Sequence, residues 1–331
     1  MKSIKKILVP TDFSDNAELA YTHAQEIAHR FGAKVDVIHI IPTLKYFSES
    51  MDQLEAPLDN VDKELYPTAQ KEVEHRLQTA MNDYLADESK GEPIVRIDRK
   101  PWEVVAELAQ DDGYDLIVMP SKGRHQSKLL RGSTTEKVIR HSQVPVFTVD
   151  DRISSEGLKH ILVPTDGSDI SFSALPLAIS LADIYDAGIT LYHVQELYGS
   201  PLESAIHDPN KDEETNIYEA LIGHLEDYLA SEESGDIKIA RGEADFEDQF
   251  VITDGASSHR IDVYTVIEKG VSAHAGIQEY AAENADAVVM ATHGHSGLAH
   301  FFLGSTTEKV AQSIDKPVLT IKPDSSKFEE S

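Results

Sequence analysis

Two aspartates at matching positions in the two halves of the chain are the residues best suited by type and spacing to bind a polar ligand. Asp12 ends the run Ile7-Leu8-Val9-Pro10-Thr11-Asp12, and Asp166 ends the similar run from Ile161 to Asp166. A carboxylate at such a place can accept hydrogen bonds from a ribose hydroxyl. It can equally cap the helix predicted to follow, so both interpretations stay open from the residues alone.

A glycine-containing stretch before a predicted helix is the second feature with chemical meaning. In the second half, Met290-Ala291-Thr292-His293-Gly294 leads through nine residues to Gly304-Ser305-Thr306. Glycine lets backbone N–H groups approach a phosphate closely. A helix N-terminus adds unpaired N–H donors and the positive end of the helix dipole. This stretch therefore favours an anionic ligand.

These motifs occur twice because the chain is a tandem repeat. Asp12 and Asp166 are 154 residues apart, whereas Gly132 and Gly304 are 172 apart, so the second copy is longer by 18 residues. We predict two domains, 1–150 and 158–323, with a linker between them. The extra residues lie chiefly around 231–259, where acids interrupted by aromatic residues fit either a solvated insertion or an added hairpin.

Short apolar runs alternate with amphipathic segments in each copy, which is the pattern of strands alternating with helices. In the first copy the predicted strands are 7–9, 35–40, 93–97, 115–119 and 144–149, and the predicted helices are 16–31, 69–85, 102–108 and 133–142. In the second copy the predicted strands are 161–164, 189–194, 261–266, 287–290 and 318–321. This pattern predicts an α/β fold of two tandem, doubly wound, parallel five-stranded sheets. Ligands of such sheets bind beyond the carboxyl ends of the strands.

The composition limits the kinds of partner and site. Thirty Lys and Arg stand against 58 Asp and Glu in 331 residues, a net charge of −28, which argues against a general nucleic-acid or anionic-membrane binder. There is no cysteine, which excludes thiolate metal sites. No apolar run approaches the roughly 18 residues of a membrane span, so we predict a cytoplasmic protein. His293, His295 and His300 lack a completing carboxylate, and we predict no metal site.

On these motifs the chain resembles a tandem universal stress protein over nearly the full length of both copies. The resemblance implies Rossmann-like domains of the adenine-nucleotide-binding type, with Asp166 at the ribose and the Val194 backbone at the adenine edge. The family pattern Gly-x-x-Gly, nine residues, Gly-Ser is matched except that Ala291 replaces the first glycine. The nucleotide-binding residues predicted for the second domain are Pro164, Thr165, Asp166, Val194, Met290, Ala291, Thr292, Gly294, Gly304, Ser305 and Thr306.

The first domain departs further from the family pattern. Pro120 stands at the first glycine position, and eight residues instead of nine separate Gly123 from Gly132. Between residues 121 and 140, six basic residues stand against the single acid Glu136. This cluster fits phosphate binding by side-chain charge, or salt bridges to an acidic partner. The nucleotide-binding residues predicted for this domain are Asp12, Ile40, Lys122, Gly123, Arg124, Gly132, Ser133 and Thr134.

The resemblance implies a stress-response protein that binds ATP, with or without magnesium, mainly in the second domain, and acts as a nucleotide-dependent regulator or interaction module. One alternative is a nucleotide-free scaffold or chaperone-like protein with vestigial sites. A second is a weak ATPase or self-phosphorylating protein, although no Walker lysine is placed and we assign no catalytic residue. Because the family pairs its fifth strands across a two-fold axis, the resemblance also implies an intrachain pseudo-dimer or a homodimer. The sequence does not identify protein partners.

Overall fold

The computed structural model describes residues 2–43, 61–121, 133–151, 157–196, 210–231, 236–255, 257–293 and 304–323. The chain divides into two compact units, of which the first is Ile4–Arg152 and the second contains Ile153–Ser331. Each unit is one copy of the sequence repeat, and each contains five neighbouring parallel strands.

The first domain alternates strands with helices, as its sequence pattern predicts. Its elements are β1 (Lys6–Pro10), α1 (Asp15–Phe31), β2 (Lys34–Pro42), α2 (Val61–Tyr84), β3 (Lys90–Asp98), α3 (Pro101–Asp111), β4 (Leu116–Pro120), α4 (Ser133–His141) and β5 (Val146–Val149). The strand order is β3-β2-β1-β4-β5, and all neighbours are parallel. The order reverses between β1 and β4, so the turn that contains Asp12 lies at this switch point.

Helix α1 shows how the sequence determines a local element that positions the site. Small or apolar residues at Ala17, Ala20, Ala24 and Ile27 recur at helical spacing and are buried. The helix ends at Gly32, whose φ of 69° is left-handed and closes the C-terminus with a backbone hydrogen bond to Ala28. Burial of this face holds the start of α1, and with it the turn before it, against the sheet.

The second domain repeats this plan and extends it. Its elements are β6 (His160–Pro164), α5 (Asp169–Phe172), α6 (Leu175–Tyr185), β7 (Gly188–Glu196), α7 (Glu213–Ser231), β8 (Ile237–Arg241), β9 (Glu247–Asp254), β10 (Ser257–Gly270), α8 (Ala273–Asn284), β11 (Ala287–Ala291), α9 (Ser305–Ser313) and β12 (Val318–Ile321). The strand order is β12-β11-β6-β7-β10-β9-β8. The first five of these strands are parallel neighbours and form the sheet that the repeat predicts.

The insertion in the second domain forms a hairpin rather than a solvated loop. Strand β9 pairs in antiparallel fashion with β10 on one side and with β8 on the other. Along β9, Asp248, Phe250 and Ile252 are buried at alternate positions, which is the period of a strand with one face covered. The α/β class and the five parallel strands are confirmed, and the hairpin widens the second sheet to seven strands, which corrects the predicted count for this domain.

One core cluster of the second domain fixes the strand ends where the predicted site residues lie. Val194 of β7 and Met290 of β11 pack in the same cluster as Ile277 of α8 and Val310 of α9, and all four are at least 92% buried. Because two strands and two helices share this core, the carboxyl ends of the strands are held in a defined arrangement before any ligand arrives.

Candidate functional site

A tight turn after β6 presents Asp166 in the second domain. The Thr165 N–H donates to the Tyr192 carbonyl oxygen at 2.9 Å, and the Thr165 hydroxyl accepts from the Gly167 N–H at 3.0 Å. That hydroxyl also lies 2.7 Å from Ser171 Oγ. Gly167 has a left-handed φ of 78°, which the turn requires and which glycine adopts without strain.

Asp166 is not the cap of the following helix. Helix α5 begins after Ser168, whose hydroxyl accepts from the Ser171 N–H at 3.2 Å and so fills the capping position. The Asp166 carboxylate instead accepts from the Ser168 N–H at 3.1 Å and from its hydroxyl at 2.6 Å. A carboxylate has about four lone-pair sites, so the Asp166 side chain is an acceptor group at the end of β6 that can take part in more than one hydrogen bond.

A histidine on the second strand supports this turn in each domain. His193 Nδ1 lies 3.0 Å from the Thr165 carbonyl oxygen, and His39 Nδ1 lies 2.8 Å from the Thr11 carbonyl oxygen. Because a carbonyl oxygen only accepts, Nδ1 is the donor in both rings. Burial lowers the pKa of His39, which favours the neutral ring. Neither histidine was among the predicted site residues; their signal was the occurrence of histidine at the same position in both copies.

The backbone of Val194 faces the place where β6 ends. Tyr192 lies opposite Pro164, the last residue of β6, and its carbonyl accepts from the Thr165 N–H. Backbone groups two residues apart on a strand point to the same side, so the Val194 N–H and carbonyl point beyond the end of β6. Ile40 has the same relation to Ile38 and Pro10 in the first domain. In each domain a donor and an acceptor therefore lie next to the turn that contains the aspartate.

The start of α9 is fixed against the end of β11. The Gly304 N–H donates to the Thr292 carbonyl oxygen at 2.9 Å, and the Thr307 hydroxyl donates to the Ala291 carbonyl oxygen at 2.9 Å. A Cβ at Gly304 would lie 3.1 Å from the Thr292 carbonyl oxygen, so glycine permits this close approach. The N–H groups of Ser305 and Thr306 are in the first turn, where a helix has no internal acceptor.

Thr307 and its first-domain counterpart Thr135 are positioning residues that the sequence analysis missed. The Thr135 hydroxyl donates to the Pro120 carbonyl oxygen at 3.0 Å, which matches the bond between Thr307 and Ala291. Both hydroxyls are buried and tie the first turn of a helix to the end of the fourth strand of its domain. The identical Gly-Ser-Thr-Thr run in both copies was the available signal.

The structure brings most of the predicted second-domain residues together. Strands β11, β6 and β7 are neighbours in the sheet, and all run parallel. Their carboxyl ends therefore place Met290, Ala291 and Thr292 beside Pro164 to Asp166, and these beside Val194. Gly294 lies outside the described residues.

In the first domain the described part of the predicted site is the turn after β1 and the start of α4. The Thr11 hydroxyl accepts from the Phe13 N–H at 3.0 Å and from the Tyr21 hydroxyl at 2.5 Å, and Asp12 accepts from the Ser14 N–H at 3.0 Å. Burial raises the pKa of Tyr21 to about 12, so it stays protonated. Ser133 and Thr134 begin α4. Lys122, Gly123, Arg124 and Gly132 lie outside the described residues.

The described residues offer neither a metal site nor a membrane-spanning helix. Within these ranges no group of three or more His, Asp or Glu side chains is placed to hold a metal ion. His293 Nδ1 instead lies 2.9 Å from the Thr292 hydroxyl, and His295 and His300 lie outside the described ranges. In the same parts of the chain, no helix combines the length and apolar composition needed to span a bilayer.

The chain is similar to known proteins both over one domain and over nearly its whole length. A universal stress protein of Methanocaldococcus jannaschii is 29% identical over 153 residues, which cover 44% of this chain and 94% of that protein. One of Mycolicibacterium smegmatis is 22% identical over 322 residues, covering 96% of this chain and 97% of its own length. A universal stress protein structure from Archaeoglobus fulgidus matches with a TM-score of 0.60 at 22% identity, covering 96% of each chain. The model of the universal stress protein family matches residues 3–150 and again 157–322, and the chain belongs to this family, with one family domain in each half.

Proposed function

We propose that the protein binds an adenine nucleotide, ATP with or without magnesium, mainly in its second domain. The observation that supports this most directly is the adjacency of Asp166 and Val194 at the ends of neighbouring strands. Adenine offers both donor and acceptor atoms at its edge, which suit the N–H and carbonyl of Val194. The hydroxyls of a ribose are donors that suit the Asp166 carboxylate.

The start of α9 supplies the proposed phosphate contacts. Ser305 and Thr306 contribute first-turn N–H groups at the positive end of the helix dipole, an effect worth about 0.3–1 kcal/mol for an anion. Gly304 allows the backbone to stay close to the end of β11, because a Cβ there would lie 3.1 Å from the Thr292 carbonyl oxygen. The net charge of −28 does not oppose this contact strongly, because ions screen distant charges beyond about 8 Å at physiological ionic strength.

As a regulator or interaction module in the cytoplasm, the protein needs two conformations that differ in their affinity for nucleotide and for a partner. The first domain has the corresponding turn and backbone edge at Asp12 and Ile40, and we propose that it is a second site with different selectivity. Lys122 and Arg124 would supply phosphate contacts there in addition to Gly123, Gly132, Ser133 and Thr134. The pseudo-dimer, the homodimer and the protein partners implied by the family stay predictions.

Calorimetric titration of the full chain with ATP and magnesium tests the proposal. We expect the unmodified chain to bind ATP. We expect Gly304→Val to remove ATP binding from the second domain, because even the first atom of the added side chain would lie 3.1 Å from the Thr292 carbonyl oxygen. Gly223→Val is the matched control, since no atom lies within 4 Å of a Cβ at Gly223. No binding to the unmodified chain would favour the scaffold alternative. Release of phosphate during the titration would favour the weak ATPase.

A further inference from the structure

The aspartate turns of the two domains differ at the residue after the aspartate. In the second domain this is Gly167, with φ 78°, and in the first it is Phe13, with φ 56°. Both residues are in the left-handed region, which a bulky side chain occupies only under strain. Strained backbone of this kind persists where the surroundings hold it in place, and such residues cluster at binding sites. The first domain therefore keeps an aromatic ring at a position where glycine would be the easier choice.

The ring of Phe13 connects the turn to helix α2. Its centroid lies 4.7 Å from that of His39, which in turn holds the Thr11 carbonyl. The guanidinium carbon of Arg76 lies 4.3 Å from the centroid of the same Phe13 ring, a cation–π contact. Arg76 thus stacks on the side chain that directly follows Asp12.

The second domain lacks both members of this pair. Helices α2 and α7 correspond with an offset of 144 residues, since the buried residues Leu77 and Met81 match Leu221 and Leu225. Arg76 then corresponds to Ala220, which is buried. The phenylalanine and the arginine occur together in the first domain, and glycine and alanine occur together in the second.

The charge of Arg76 acts on the same small region as the charge of Asp12. The Arg76 side chain is exposed to solvent. Within the described ranges it takes part in no ion pair. Both Arg76 and Asp12 influence the pKa of His39, the cation lowering it and the carboxylate raising it, although burial is the larger cause. The same two charges reach Tyr21, whose hydroxyl contacts Thr11. The first domain therefore has a guanidinium on the side chain that follows its aspartate, where the second domain has glycine after the aspartate and alanine in place of the arginine.

We infer that Arg76 makes the first domain select an adenine nucleotide that has a phosphate on its ribose, at the 2′ or the 3′ position, and this rests on the proposed nucleotide binding. One free ribose hydroxyl donates to Asp12, while the phosphate on the other accepts from the guanidinium. Arginine suits this task because its planar set of donors matches a phosphate. The same exchange between an acidic residue and a nearby arginine distinguishes dinucleotides without and with a ribose phosphate.

Phe13 explains how the guanidinium is held for this role. An exposed arginine on a helix samples many rotamers, and fixing it costs conformational entropy. The aromatic face restricts Arg76 before the ligand binds, because the cation is attracted to the ring while its N–H groups stay available at the edge of the stack. The strained φ of Phe13 is thereby linked to the position of the cation.

The test is calorimetric titration of the full-length Gly304→Val chain with AMP, adenosine 2′,5′-bisphosphate and adenosine 3′,5′-bisphosphate. We expect at least one bisphosphate to bind about tenfold to hundredfold more tightly than AMP, as expected for a charge-assisted contact. Arg76→Gln is expected to lower the affinity for the preferred bisphosphate by the same factor and so abolish this preference. Arg30→Gln makes the same charge change in the last turn of α1, at the end of that helix far from the Asp12 turn. This control variant is expected to retain the preference for the bisphosphate. The two bisphosphates show which ribose position is read.

The possible failures are distinguishable. If ATP binds the unmodified chain but neither bisphosphate binds more tightly than AMP, the inference is overturned and the proposed function stands. A preference that survives Arg76→Gln overturns the role of Arg76. If ATP does not bind the unmodified chain at all, the proposed function fails and the inference fails with it. The substituted positions are exposed or partly exposed, so each variant is expected to fold. Circular dichroism of each variant checks this.

Discussion

The imidazole Nδ1 of His193 lies 3.0 Å from the carbonyl oxygen of Thr165, so a side chain of β7 holds the backbone that leads to Asp166. The same relation joins His39 to Thr11 in the first domain. The Thr165 N–H donates to the Tyr192 carbonyl, and the imidazole supplies a donor to the carbonyl of the same residue, beyond the last paired residue of β6. The position of each aspartate therefore depends on the strand beside it as well as on its own turn.

Replacement of His193 by leucine is expected to weaken nucleotide binding in the second domain. The substitution leaves the Thr165 carbonyl without its donor, a loss of about 1–3 kcal/mol for a buried acceptor. We expect a lower unfolding free energy in urea and a several-fold loss of ATP affinity by calorimetry. His39→Leu is the matched control, because it removes the same bond from the other domain. Equal loss of second-domain ATP affinity in both variants would contradict a local role for His193.

The repeat and its alternating pattern were enough to predict the parallel strands, because short apolar runs alternating with amphipathic segments are visible in the local sequence. The hairpin β8–β9 was left open between two interpretations, since its buried strand includes Asp248, a residue that predicts exposure. Asp248 is buried because the Tyr218 hydroxyl donates to both of its oxygens, at 3.1 and 2.9 Å. A partner 30 residues away cannot be read from local pattern.

The aspartate turns show a similar limit. The sequence places Phe13 and Gly167 at the same position, and Arg76 far along the chain. Only the packing of α2 against the sheet brings the guanidinium onto the Phe13 ring. The supporting bonds of Thr135 and Thr307 were likewise missed, because a threonine in a first helical turn is commonly interpreted as a cap or a ligand contact rather than as a link to another strand.

The first domain is expected to lose stability as the pH falls below about 6.5, the ordinary pKa of histidine. His23 is fully buried, and its Nε2 lies 2.6 Å from the Asp151 carbonyl oxygen. Burial is the main cause that lowers its pKa in the folded state. As the pH falls, His23 therefore takes up a proton in the unfolded chain before it does so in the folded chain. The contribution of neutral His23 to the free energy of unfolding is complete above the pKa of the unfolded chain and declines below it.

Urea unfolding between pH 5 and 7 measures this dependence, with His23→Leu as the test variant. Leucine is the residue at the corresponding place in the second domain, Leu177, which is buried. The variant is expected to show a smaller decline in unfolding free energy over this pH range than the unmodified chain. His29→Gln, at an exposed site of the same helix, is expected to leave the decline as it is. An unchanged slope in His23→Leu would exclude His23 as its source.

Two glycine-to-alanine substitutions in the second domain are expected to change stability in opposite directions. Gly167 has φ 78°, and alanine in the left-handed region costs about 1–2 kcal/mol. Gly223 lies within α7 with no atom within 4 Å of a Cβ, so alanine there is expected to add about 0.5–1 kcal/mol. Urea unfolding of the two variants provides the comparison. A neutral Gly167→Ala would show that the turn relaxes without needing a left-handed residue.

Removal of the Thr307 hydroxyl is expected to affect both the second domain's stability and its affinity for ATP. Thr307→Val keeps the shape of the side chain but leaves the buried Ala291 carbonyl without its donor at 2.9 Å, at a cost of about 1–3 kcal/mol. The first turn of α9 would then be less firmly held against β11, and the N–H groups of Ser305 and Thr306 would be less well placed for a phosphate. Thr135→Val breaks the equivalent 3.0 Å bond to Pro120 in the first domain. Calorimetry should therefore show weaker binding of ATP to Thr307→Val and unchanged second-domain binding to Thr135→Val. Identical affinities of the two variants would mean that the proposed phosphate contacts do not depend on how the first turn of α9 is held.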